Sequence, residues 1–105
     1  MYLDGVGVEQ NYKEAFNWFE KSAEQGDAWA QYNLGVMYLE GLGVEQNYEE
    51  AINWFKKAAE HGHAWAQNSL GLMHLKGLGV EQNHKEAIHW LKKAVEQGVT
   101  MPKQH

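Results

Sequence analysis

Residues 37–72 read MYLEGLGVEQNYEEAINWFKKAAEHGHAWAQNSLGL, and the chain contains this unit nearly three times. MYLDGVGVEQNYKEAFNWFEKSAEQGDAWAQYNLGV occupies 1–36, and MHLKGLGVEQNHKEAIHWLKKAVEQG occupies 73–98, with no gap at either junction. Of the 36 aligned positions in the first two copies, 25 are identical. A fixed period of this length marks a repeat architecture, in which each unit is one supersecondary element that stacks on the next. The 105 residues are therefore expected to form a single array, with copies at 1–36, 37–72 and 73–98 and a divergent tail at 99–105.

Each copy has the same local grammar. GLGVEQN is a break, and its Asn47 stands directly before YEEAINWFKKAAEHG. An Asn there accepts a hydrogen bond from a free amide of the first helical turn. Glu49 and Glu50 follow where the helix dipole favours negative charge. Ala51, Trp54, Phe55, Ala58 and Ala59 recur at steps of three and four, the period of an amphipathic helix. Gly62 closes that helix, and Gly41 closes a second one running from about Ala28 to Glu40. The spacing predicts helices near 11–25, 28–40, 47–61, 64–76 and 83–97, and no stretch alternates with period two as a strand would. Short connections make neighbours antiparallel. The expected fold is all-α: an α-solenoid of stacked helix hairpins, about five helices in all. Gly35 and Gly71 fall inside helices at a cost of ~1 kcal/mol each relative to Ala. Close approach of a neighbouring helix is the expected return.

The pattern A-x-A-Q-x-x-L-G-x-M-Y-x-x-G-x-G-V, followed by A-x-x-W-x-x-x-A-A-x-x-G, resembles the Sel-one-like repeats, relatives of the tetratricopeptide repeat. It is carried here by Ala28, Ala30, Gln31, Leu34, Gly35, Met37, Tyr38, Gly41, Gly43, Val44, Ala51, Trp54, Ala58, Ala59 and Gly62. The 36-residue period and the G-x-G-V turn favour this family over the 34-residue tetratricopeptide unit. The resemblance implies a protein–protein scaffold, most often in bacterial proteins and in some eukaryotic quality-control complexes. Asn11, Asn47 and Asn83 stand where members commonly carry Asp, and Asn caps equally well. With no Cys in the chain, the cysteine-rich secreted subgroup does not apply.

Composition narrows the chemistry. Apolar residues are 44% and charged residues 22%, an ordinary globular balance. Net charge is −5 and all nine basic residues are Lys. A chain without Arg lacks the planar fork that reads guanine or clamps phosphate, so neither nucleic acid nor an anionic membrane is an expected partner. No apolar run approaches the ~18 residues of a membrane span. The repeated G-x-G lacks a third glycine and follows a helix rather than a strand, so it reads as a helix stop and turn, and no cofactor is expected. Ser22 and Ser69 open no S-x-x-K motif, and the glutamates follow helix-surface spacing. No enzyme is expected. His61 and His63 form H-G-H at a helix end, but the first copy has Gln25 and Asp27 there, so divergence is favoured over zinc and no metal site is expected.

A protein or peptide remains the expected partner. Within the 28–40 helix the residues that drift between copies are Tyr32, Asn33, Val36 and Glu40, matched by Asn68, Ser69, Leu72 and Lys76. With the repeated Trp29 and Trp65 they fall at steps of three and four, hence on one face. The family resemblance places this helix on the concave side of the solenoid. An aromatic, amide-bearing groove suits an extended peptide or a partner helix, and exposed Trp is the residue most enriched at binding hot spots. The alternative is a structural spacer, with Trp29 and Trp65 packed across the repeat junctions. The chain also opens mid-unit at Met1–Asp4, while Val99-Thr100-Met101-Pro102 breaks the repeat code. Part of the face bearing Ala15, Trp18, Phe19 and Ala23 is therefore expected to lie uncovered, and with it either self-association through the N-terminal end, by edge pairing or helix exchange, or derivation from a longer parent with upstream repeats.

Overall fold

The computed structural model describes residues 6–98, with side chains from residue 11 onward. The segments Met1–Asp4 and Val99–Pro102 lie outside the described residues. Five helices follow in order: α1 (Val6–Glu24), α2 (Ala28–Glu40), α3 (Tyr48–Glu60), α4 (Ala64–Lys76) and α5 (His84–Glu96). Among the described residues there is no strand. The fold is the expected all-α array, and the helices after α1 fall within one residue of their expected bounds.

Caps set those bounds. The Asn47 side chain accepts from the Glu50 N–H at 3.0 Å, and Asn83 repeats this with Glu86 at 3.0 Å. Asp27 opens α2 by accepting from Trp29 and Ala30 at 2.9 and 3.2 Å. Glu49 and Glu50 lie in the first turn of α3 and Lys57 in its last, matching the helix dipole at both ends. At the C-terminus of α2, Gly41 takes the left-handed conformation, φ 70°, and its N–H donates to the Met37 carbonyl. The loop that follows is tied back to α2. Gln46 donates to the Leu39 carbonyl at 2.8 Å and the Asn47 N–H to the Tyr38 carbonyl at 2.8 Å. Gln82 and Asn83 do the same for Leu75 and His74.

The first copy departs from this pattern. α1 starts at Val6, not near residue 11, so Asn11 lies inside a helix and caps nothing. In the second and third copies the second loop glycine packs on the helix one repeat earlier, Gly43 on Tyr12–Lys13 within α1 and Gly79 on Tyr48 at the start of α3.

The core is built from small residues at the crossings. One buried cluster joins Ala51, Phe55, Ala58 and Ala59 of α3 to Ala66, Leu70 and Met73 of α4. A second joins Ala23, Ala30 and Leu34, with Phe16, Phe19 and Trp54 packed against it. Gly35 admits the Phe55 ring: a Cβ there would lie 2.5 Å from a ring carbon. Gly71 admits Leu91 in the same way, at 2.7 Å. Both glycines therefore serve close helix approach.

A buried amide ladder joins the hairpins. Gln31, 3% exposed, donates to the Ala23 carbonyl at 3.1 Å, and Gln67 to the Ala59 carbonyl at the same distance. Each Gln oxygen then meets the next repeat: His61 Nδ1 lies 3.3 Å from Gln31 Oε1, and Gln97 donates to Gln67 Oε1 at 2.7 Å. Buried amides are tolerated only when satisfied, and these are. The only sequence sign of the ladder is that Gln31 and Gln67 stay fixed beside positions that drift.

Candidate functional site

The ten residues expected on one face split into three kinds. Trp29 and Trp65 are both exposed, 58% each. Glu40 and Lys76 are exposed at the far ends of α2 and α4. Tyr32, Asn33, Val36, Asn68, Ser69 and Leu72 are half-buried. Tyr32 and Val36 rest against the α3–α4 core, so their side chains belong to the repeat junction as well as to the surface.

The structure brings together one residue that sequence reasoning placed elsewhere. His63 stacks on Tyr32, with ring centroids 5.1 Å apart and planes 19° apart, and meets Trp29 edge-on at 4.3 Å. Tyr32 also meets Trp29 at 6.1 Å, Trp65 at 6.4 Å and Phe55 at 5.7 Å. The two indoles are thus the outer ends of a continuous aromatic cluster whose middle is Tyr32 and His63. Edge-to-face and offset contacts of this kind contribute about 0.5–1.5 kcal/mol each beyond burial, which holds the indoles in place without covering them.

His63 is also the N-cap of α4, its Nδ1 accepting from the Ala66 N–H at 3.2 Å. That bond needs Nδ1 free of a proton, so the neutral ring carries its hydrogen on Nε2. Nε2 is buried without a hydrogen-bond partner. Burial pushes the His63 pKa below its ordinary 6.5, and a backbone hydrogen bond and the Asp27 carboxylate oppose that shift. A histidine whose folded pKa is lowered binds fewer protons in the folded state than in the unfolded one, so stability falls as pH drops through 6.5. We expect the melting temperature to fall from pH 7.5 to about pH 5.5 more steeply in the wild type than in His63→Asn, because Asn caps without titrating. Equal slopes in the two proteins by calorimetry would show that His63 does not carry this dependence.

Both Nδ1 atoms of the H-G-H pair are engaged, His61 with Gln31 and His63 with Ala66. Among the described residues no group of three His, Cys, Asp or Glu side chains is placed to hold a metal ion. No described helix is long and apolar enough to cross a membrane.

Stacked hairpins with an exposed aromatic seam define a helical-repeat protein, and comparison gives the family. The Sel1 repeat model matches residues 1–27, 30–63 and 66–99, and the chain belongs to the Sel1-repeat family. Proteins of this family are generally non-enzymatic scaffolds for protein interactions. Among solved structures, a Sel1 repeat protein from Oxalobacter formigenes is 44% identical with a TM-score of 0.80, over 82% of this chain and 35% of that one. The protective antigen c5321 of uropathogenic Escherichia coli is 43% identical with a TM-score of 0.83, over 84% of this chain and 19% of its own. Cysteine-rich protein B of Helicobacter pylori is 26% identical with a TM-score of 0.77, over 80% of this chain and 63% of that one. This chain thus spans about a third and a fifth of the first two. No curated protein matches it at a significant level.

Proposed function

We propose that the chain is a protein-interaction scaffold that holds an extended peptide or a partner helix along the face shared by α2 and α4. The observation that carries this reading is the pair Trp29 and Trp65. They are one repeat apart, both 58% exposed, and fixed from behind by Tyr32 and His63. A preorganised indole loses little freedom on binding, which is why such residues dominate interface energies. Asn33, Asn68 and Ser69 supply hydrogen-bonding groups beside them, and Glu40 and Lys76 place opposite charges at the far end. An extended chain needs this mixture of apolar anchors and polar edges.

A second reading has an observation of its own. Trp29 meets His63 across the repeat junction, so the indoles also serve to space the hairpins. One experiment separates the two. Peptides selected from a random library on the immobilised protein are titrated against wild type, Trp29→Ala with Trp65→Ala, and Trp18→Ala. At about 2 kcal/mol or more per hot spot, hence about 4 for the pair, the double variant should bind several hundredfold more weakly, with wild-type helicity and unchanged affinity in the Trp18 control. Undiminished affinity in the double variant would sink the groove reading. Its melting at room temperature would favour the spacer.

A further inference from the structure

His63 stands where the first copy has Asp27, and the two side chains do the same work with one difference. Asp27 caps α2 with a carboxylate oxygen, which accepts from the Trp29 and Ala30 amides. His63 caps α4 with Nδ1, which accepts from the Ala66 amide only while that nitrogen carries no proton. Nε2 of the same ring is buried without a hydrogen-bond partner. A neutral ring satisfies this seat. An imidazolium brings two N–H donors and finds an acceptor for neither, and at Nδ1 it sets one donor against another.

The neighbouring groups do not supply that acceptor. From α2, Asp27 is the charge whose field favours a proton on the ring, but its Oδ1 is engaged by Trp29 and Ala30. Tyr32, also of α2, stays neutral: burial raises its pKa, Ser69 opposes by a hydrogen bond, and Glu40 adds to the rise. At the end of α3, His61 turns its Nδ1 to Gln31. The first turn of α4 carries no acidic residue. Burial is the largest influence on His63, and it disfavours the charged ring. This same ring meets Trp29 edge-on at 4.3 Å and stacks on Tyr32 at 5.1 Å, so the seat lies directly behind one anchor of the groove.

We propose that His63 is a positioning residue of the groove: as a neutral ring it holds the Trp29 indole for a partner, and on taking up a proton it leaves its seat and releases that anchor. This rests on the groove reading above and adds its regulation, an affinity that falls with acidity. The sign follows from proton counting. The complex holds His63 neutral, whereas the free protein takes up a proton there as pH drops. Affinity is therefore full above the folded pKa, which lies below 6.5, and declines as pH falls through it. One proton limits the decline to about tenfold per pH unit.

The probe is an amidated, library-selected peptide without His, Asp or Glu that binds through Trp29 and Trp65. Its affinity should weaken about threefold or more from pH 7.5 to about pH 5.0, at a temperature where circular dichroism shows every protein folded. His63→Asn keeps a cap without the ring, so it should bind more weakly than wild type at pH 7.5 and equally at both ends of the range. His61→Gln copies Gln97, which bonds the ladder amide in the next repeat, and should keep the wild-type decline. In the free protein the Trp29 indole N–H resonance should titrate with the Ala66 amide, and neither should do so in His63→Asn. Should that variant fail to fold, His63→Asp, the cap of the first copy, replaces it with the same expected pattern. A peptide that needs both indoles yet binds wild type with level affinity overturns the proposal and leaves the groove standing. So does a decline that persists in His63→Asn, or a Trp29 resonance that ignores the titration. If no selected peptide depends on Trp29 and Trp65, the groove itself falls, and this proposal with it.

Discussion

Phe55→Ala is expected to remove about 4 kcal/mol of stability, a large share of the 5–15 kcal/mol that holds a domain of this size. Phe55 is wholly buried, the largest side chain among the described residues for which this holds. Its ring lies over Gly35 of α2 and faces Tyr32 at 5.7 Å, so it fills space left open by a residue with no side chain. Truncation would leave a void against Gly35, which has no side chain to move into it. α3 is also the central helix, so the damage separates the first hairpin from the second and should broaden the transition as coupling between repeats weakens. Urea titration followed by tryptophan emission measures both effects. Phe19→Ala, at the half-buried equivalent in α1, should cost about half as much. Equal losses at 19 and 55 would show that the Gly35 contact adds nothing.

The same contact shows how far the sequence could be read. A glycine in the middle of a helix, repeated at 35 and 71, signals close approach, yet the partner is 20 residues away and only packing names it. Helices α2 to α5 were legible because their caps are local: Asn47 and Asn83 bond three residues ahead, and Gly41 bonds four behind. The start of α1 was not legible. Gly5 to Asn11 repeats the letters of the later breaks, but what makes those breaks is not local. Gln46 reaches back to Leu39, Asn47 to Tyr38, and Gly43 to a helix one repeat earlier. In the first copy Val6 to Asn11 are helical.

The site divides along the same line. That Trp29 and Trp65 share a helix face with the drifting positions was legible from spacing, but whether they are packed or exposed was not, and both are 58% exposed. Nor was the place of His63, because Tyr32 and Trp29 stand about thirty residues before it, and because His is an uncommon cap beside the Asp27 it replaces. Drift at 32 and 36 marks where one junction differs from the next, since Tyr32 and Val36 pack on the α3–α4 core.

Gly43→Ala is expected to cost about 3 kcal/mol or more. Two costs add. The residue sits at φ +74°, where a side chain incurs roughly 1–2 kcal/mol of backbone strain. The new Cβ would also lie 2.5 Å from the Tyr12 carbonyl oxygen and 2.9 Å from the Lys13 nitrogen, both backbone atoms of α1. A side chain can rotate away from such a contact, but a helix backbone cannot, so the loop must lift from α1 and open the junction. Gly41 is the built-in control. It is left-handed too, at φ +70°, but its Cβ would meet nothing nearer than Gln46 at 3.4 Å, an ordinary contact. Gly41→Ala should therefore show strain alone, about 1 kcal/mol. The difference between the two variants, read from paired urea midpoints at constant slope, isolates the docking of the loop on the preceding repeat. A Gly43→Ala chain no less stable than Gly41→Ala would mean that the loop does not rest on α1.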